Sequence, residues 1–222
     1  MKKFAVLFLI LALLSGAALA ETVGVTITNG QGEICLAWAN VEVTDVDGDG
    51  TLTLYDALSS AHETYFEGGA EAGFAAEDQG YGPSLTKLWG EENGGSYGYC
   101  VNNVPAVSLA DPISSGDRIH AYSYQDLEAW SDQFSYFQFT DGDERSLTLS
   151  VLSYDADWNP VESQLAGAAI IVDGEDSGLV TDENGAIEVS ALNLTEPGEH
   201  IISAAYADAT LIPPVFTITV SE

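Results

Sequence analysis

The sequence predicts an α+β N-terminal domain of β-grasp type over residues 21–139 and an all-β sandwich over 140–222, behind a leader of residues 1–20. Three observations carry this reading. First, a helix-period stripe of Leu54, Leu58, Ala61 and Tyr65 follows two alternating runs and precedes three more, the order in which one helix crosses the face of a mixed sheet. Second, beyond the polar break Thr140-Asp141-Gly142-Asp143-Glu144 the aromatic content falls and short apolar runs recur at regular intervals, the pattern of a small sandwich. Third, the chain is 46% hydrophobic and rich in aromatic residues, so a net charge of −30 does not make it disordered.

The leader comes first. Met1-Lys2-Lys3 is a positive start, residues 4–14 are uninterruptedly apolar, and Ala18-Leu19-Ala20 is an A-x-A site. This is the pattern of a secretory signal peptide cleaved after Ala20 and is too short to span a bilayer. With no cysteine next to the cleavage site and no second long apolar run, a secreted, extracellular protein with neither lipid anchor nor membrane span is expected. Cleavage would leave Lys87, Arg118 and Arg145 against 35 acidic residues. Such a field repels nucleic acid and anionic lipid and draws in cations, although solubility or a high-salt habitat would account for it equally well. Cys35 and Cys100 are the two cysteines. An even pair in an exported chain predicts a disulfide; the alternative is two buried thiols.

Along the first domain, residues 23–28 alternate, Asn29-Gly30 supplies a hairpin turn, and 34–43 form the second strand. The helix starts at Leu54 and ends at Gly68-Gly69. Residues 70–83 read as an irregular surface loop, followed by strands at 84–89, 97–102 and 118–124. The aromatic stretch 127–139 groups with this domain. The sandwich strands fall at 146–153, 168–172, 186–190, 200–206 and 215–220, the last with Phe216, Ile218 and Val220 on one face.

Between the second strand and the helix lies Asp45-Val46-Asp47-Gly48-Asp49-Gly50-Thr51-Leu52-Thr53-Leu54-Tyr55-Asp56. Counted from Asp45, carboxylates occupy positions 1, 3, 5 and 12, glycine position 6 and an apolar residue position 8. Calcium takes six to eight oxygens, so a short loop must aim several carboxylates at one point. The expected ligands are the carboxylates of Asp45, Asp47, Asp49 and Asp56, the carbonyl of Thr51, and Thr53 through its hydroxyl or a water. The register resembles the EF-hand loop, and more closely its dockerin version, which closes with Asp. A solvated turn is the alternative. A dockerin needs two such loops, and a second candidate starting at Asp173 has Asn184 at position 12 and reads as a sandwich turn.

Tyr97-Gly98-Tyr99-Cys100-Val101-Asn102-Asn103, Gly116-Asp117-Arg118-Ile119 and the helix opening Tyr55-Asp56-Ala57-Leu58 resemble the C-terminal β-grasp domain of transcobalamin and intrinsic factor, over roughly residues 23–125. The chain departs from that family in having Asn103 where the turn glycine belongs and in adding the calcium loop. The large helical domain that shares cobalamin binding in that family has no counterpart here, so the resemblance implies the fold more strongly than the ligand. Val180-Thr181-Asp182-Glu183-Asn184-Gly185 and Pro197-Gly198-Glu199-His200 resemble turns of bacterial Ig-like and carboxypeptidase-regulatory-like modules. The Cys–Trp–Cys hallmark of antibody domains is missing, leaving the subtype open.

His62, His120 and His200 lie far apart, without zinc-ligand spacing. There is no nucleophile elbow and no phosphate-binding loop, and pairs such as Glu91-Glu92 arise by chance among so many acids. No enzyme is expected. The sequence reads as a non-enzymatic, calcium-stabilised binding or adhesion module of the bacterial cell exterior. Its cofactor would be Ca2+ and its partner an extracellular protein, glycan or small ligand. The alternative is a small-ligand binder serving an uptake system, with a corrinoid implied by the resemblance. An exposed aromatic cluster of Tyr81, Trp89, Tyr97 and Tyr99 would favour that alternative.

Overall fold

The computed structural model describes residues 20–78, 80, 82–142, 145–155, 157 and 159–222. The expected leader lies outside them except for Ala20. The described chain is mostly β-sheet, 49% strand against 11% helix.

In the first half, β1 (Ala20–Thr28) and β2 (Ile34–Thr44) pair antiparallel, with Val23 opposite Val41. Their connection is longer than a two-residue turn. Asn29 closes it, its Oδ1 accepting from the backbone N–H groups of Gln31 and Glu33. Next come α1 (Leu54–Tyr65), α2 (Gly69–Gly73), β3 (Ala75–Asp78), β4 (Pro83–Lys87), β5 (Tyr97–Val101), β6 (Val104–Pro105) and β7 (Arg118–Ser123). The sheet order is β2-β1-β7-β5-β6. β1 and β7 run parallel at its centre, and the other neighbours are antiparallel.

The helix lies on this sheet because its apolar residues recur at helical spacing. Leu54, Ala57, Leu58 and Ala61 are fully buried against Val23, Val25, Ile27, Val41, Val43, Ile119 and Ala121. Burying each leucine is worth roughly 1.5–3 kcal/mol. Tyr65, the last member of the expected stripe, is instead 44% exposed and donates its hydroxyl to the Asn40 carbonyl. The stretch expected as an irregular loop, 70–83, holds most of α2 and all of β3, which pairs with β4 where a strand was expected. A Cβ on Gly73 would fall 2.5 Å from the Phe66 ring, so α2 docks where only a glycine fits.

In the second half are β8 (Gln133–Thr140), β9 (Ser146–Tyr154), β10 (Pro160–Gln164), β11 (Ala169–Val172), β12 (Glu175–Val180), β13 (Ala186–Glu188), β14 (Gly198–Ala205), β15 (Leu211–Ile212) and β16 (Phe216–Val220). They form one sheet of order β10-β9-β8-β15, with β13 also on β9, and another of order β12-β11-β14-β16. Phe137, Leu147 and Leu149 from the first meet Ile170, Ile202 and Ala204 from the second in one core.

β8 corrects the grouping expected from its aromatic composition. It ladders with β9 over Ser135–Thr140 and with β15, and belongs to the second set of strands. Its two faces serve two cores. Phe137 enters the sandwich, whereas Phe134 and Tyr136 join Cys100, Tyr122 and Ile212 in a cluster between the two halves. β7 is accordingly buried on both faces: Ile119 and Ala121 point to the helix, and His120 and Tyr122 to β8. The Trp38 indole N–H adds a tie across this junction, donating to the Val215 carbonyl at 2.7 Å.

Candidate metal centre

The loop after β2 is folded by its own aspartates. Asp45 accepts from Gly48 N–H (2.8 Å) on Oδ1 and from Gly50 N–H (2.9 Å) on Oδ2. Asp47 accepts from Asp49 N–H (3.2 Å), and Asp49 from Thr51 N–H (2.7 Å). Gly48 and Gly50 sit at φ 76° and 89°, in the left-handed region where a side chain is strained. These bonds turn the chain around a point at which Asp45, Asp47 and Asp49 each place an oxygen within 4.8 Å of the others. Asp45 is half-buried and the other two are exposed. The Asp49 backbone N–H pulls the Asp47 carboxyl down, but desolvation and the charges of Asp49, Asp56 and Asp45 outweigh it and hold the group above its ordinary value. Among the described residues these three aspartates could hold a cation.

Thr53 and Asp56 are not gathered with them. Thr53 is the N-cap of α1 and Asp56 its third residue, and the two form a reciprocal capping box. Asp56 Oδ2 accepts from Thr53 N–H (2.9 Å) and Thr53 Oγ1–H (2.7 Å), while Oδ1 accepts from Val46 N–H (2.8 Å). The carboxylate is fully buried and its bonds go to the protein itself. The expected closing ligand therefore acts as a cap that ties the loop to the helix. The signal was present in Thr53-x-x-Asp56, a capping-box pattern that overlaps positions 9 and 12 of the ion loop. Thr51 is exposed, with its N–H donated to Asp49.

A strap from the long connection before β7 braces the helical side of this loop. Ile113 N–H donates to Leu52 O, Leu54 N–H to Asp111 O, and Tyr55 N–H to Leu109 O, at 2.9–3.1 Å. Leu109 is fully buried beneath it.

The cysteines are not joined; both thiols are free. Cys35 is on β2 and Cys100 on β5, and β1 and β7 lie between them in the sheet. Three interstrand spacings amount to about 14 Å, beyond the reach of a disulfide. They also serve different clusters, Cys35 on the helix side and Cys100 in the junction. Burial above all pushes their thiols up, to about 11 for Cys35 and about 12 for Cys100.

The histidines are separate as well. His62 is fully buried. Its Nε2 accepts from Trp89 N–H (3.0 Å), so Nδ1 carries the proton given to Leu58 O (2.6 Å), and burial lowers its pKa to about 4. His120, held by Thr28 Oγ1 at 2.8 Å, is lowered by burial to about 3. His200 Nδ1 contacts Asp173 Oδ2 at 2.7 Å in the sandwich. Asp173 and Asn184, considered above as ends of a second ion loop, lie in two different turns. Trp89, Tyr97 and Tyr99 are half-buried against the first core and do not form an exposed platform; Tyr81 lies outside the described residues.

No protein-family model, curated protein or solved structure matches the chain. None of its described helices is long and apolar enough to cross a membrane.

Proposed function

We propose that the protein is an exported, non-enzymatic, calcium-stabilised binding module of the cell exterior. The observation that carries this reading is the convergence of Asp45, Asp47 and Asp49 within 4.8 Å immediately ahead of the first helix. Hard carboxylate oxygens on an exposed loop suit calcium. Three aspartates and the Thr51 carbonyl would hold the ion, with solvent completing its shell. Export is supported by the leader pattern in residues 1–20.

The first half is a β-grasp unit of the transcobalamin C-terminal kind. The order β2-β1-β7-β5-β6, with a parallel central pair and one helix on a single face, supports this. The second half is an Ig-like sandwich, supported by two sheets sharing one core. Half-burial of Trp89, Tyr97 and Tyr99 argues against a corrinoid stacked on that cluster.

The test is thermal unfolding of chelator-treated protein on adding calcium. Linkage expects about 2.7 kcal/mol of stabilisation at a hundred times the dissociation constant. Magnesium should do less, because it keeps its waters. Asp49→Ala should remove the response. An unchanged melting temperature in millimolar calcium overturns the proposal.

A further inference from the structure

We infer that the cleft between the β1–β2 connection and the outer face of β11 and β14 is a binding site for an amphipathic organic cation. This rests on the reading of the chain as a binding module and assigns the ligand class. The cleft has a volume of about 840 Å3, within the range of small-molecule sites, and lies at a junction of two structural units, where such sites concentrate. Residues 31–34 form one wall, and β11, β14 and the chain after β14 form the other.

The floor is mostly apolar. Ile170, Ile202 and Ala204 point into the sandwich, and side chains alternate along a strand. Ile171, Ile201, Ser203 and Ala205 therefore lie on the opposite face, which lines the cleft together with the edge of Ala204. Ile34 and Leu211 close its sides.

The charge in the cleft is of one sign. Glu33 and Asp173 line it, and no lysine or arginine does. Asp173 is fixed in place, Oδ1 accepting from Ile201 N–H at 2.8 Å and Oδ2 from His200 Nδ1 at 2.7 Å. Because His200 Nε2 faces the Glu196 carbonyl at 2.8 Å, both ring nitrogens donate and the imidazolium balances the Asp173 charge. Glu33 Oε2 accepts from Asn29 Nδ2 at 2.8 Å. The basic side chains outside the leader are occupied elsewhere. Arg118 lies 4.9 Å over Trp38, Arg145 lies 5.4 Å over Phe139, and Lys87 Nζ is 3.8 Å from Glu92. Glu33 is thus the carboxylate of the lining that no cationic side chain balances, and an anion would be repelled by it. A cation with an apolar body matches both the floor and the rim.

The test titrates the full chain with tetraphenylphosphonium and, separately, with tetraphenylborate, which has the same shape and the opposite charge. Both titrations are run at high salt to screen the general field of the protein, in calcium and in chelator. The cation should bind at one site, at least about tenfold more tightly than the anion. Ala205→Trp, an exposed position, should fill the cleft and weaken cation binding about tenfold or more. Glu33→Lys, in an exposed turn, should erase or invert the preference for positive charge. Equal binding of the two ions, or cation binding indifferent to both substitutions, overturns the inference. The calcium response is read from melting and the cleft from these titrations, so either reading can fail alone.

Discussion

Gly98 stands directly opposite Tyr122 in the β5–β7 ladder, and the phenol ring of Tyr122 occupies the space a Cβ on Gly98 would need. That Cβ would fall 2.2 Å from Tyr122 Cζ. The ring lies over the glycine because Phe134, stacked on it at 5.8 Å, holds it there from β8. One missing side chain thus lets the two halves of the chain approach.

Gly98→Ala should accordingly destabilise the protein by about 2–3 kcal/mol, the cost of overpacking a filled core. Combining it with Tyr122→Ala should recover part of the loss, because the second change removes the clash. Urea unfolding of the two single variants and the double variant gives the coupling energy. Strict additivity would mean that the ring and the strand do not compete for this space.

The capping box and the aspartate cluster should separate under mutation. Thr53→Ala should cost about 1 kcal/mol with or without calcium, as loss of an N-cap does. Asp56→Ala should cost more, since it leaves the N–H groups of Val46 and Thr53 without their acceptor. Asp49→Ala should leave the chelator-treated protein as stable as the unsubstituted chain. A larger loss from Asp49→Ala than from Asp56→Ala, measured in chelator, would reverse these roles.

A fragment of residues 126–222 should melt cooperatively, whereas 146–222 should not. The shorter piece lacks β8, which leaves β9 without its long ladder partner and removes Phe137 from the sandwich core. Calorimetry of both fragments decides the point; a sharp transition in the shorter one would make β8 dispensable.

Acid should weaken the fold through two buried histidines. His62 and His120 have folded pKa values of about 4 and about 3, below the ordinary value near 6.5. Between those values the unfolded chain binds more protons, so stability is fully present above roughly pH 6.5 and drains away as pH falls toward 4. For His62 the full loss is about 3 kcal/mol. In the folded protein neither ring should titrate by NMR near pH 6. A His62 signal moving with a midpoint near 6.5 would contradict its burial against Leu58 and Trp89.

Much of the first half was legible in the residues, because the signals are local. The α1 stripe can be read since one helical face coincides with one buried face, and Asp45, Asp47 and Asp49 converge within five residues of chain. The rest depended on neighbours that spacing does not encode. Asp56 fits both an ion loop and a helix cap, and the choice follows from where Thr53 and Val46 direct their N–H groups. Cys35 and Cys100 both lie on strands of one sheet, yet β1 and β7 separate them. β8 is aromatic along its length because it feeds a core on each face. Periodicity reports how many faces of an element are buried. Which strands lie beside it is set by chain topology, and that is why the disulfide and the grouping of β8 came out otherwise than their sequences suggest.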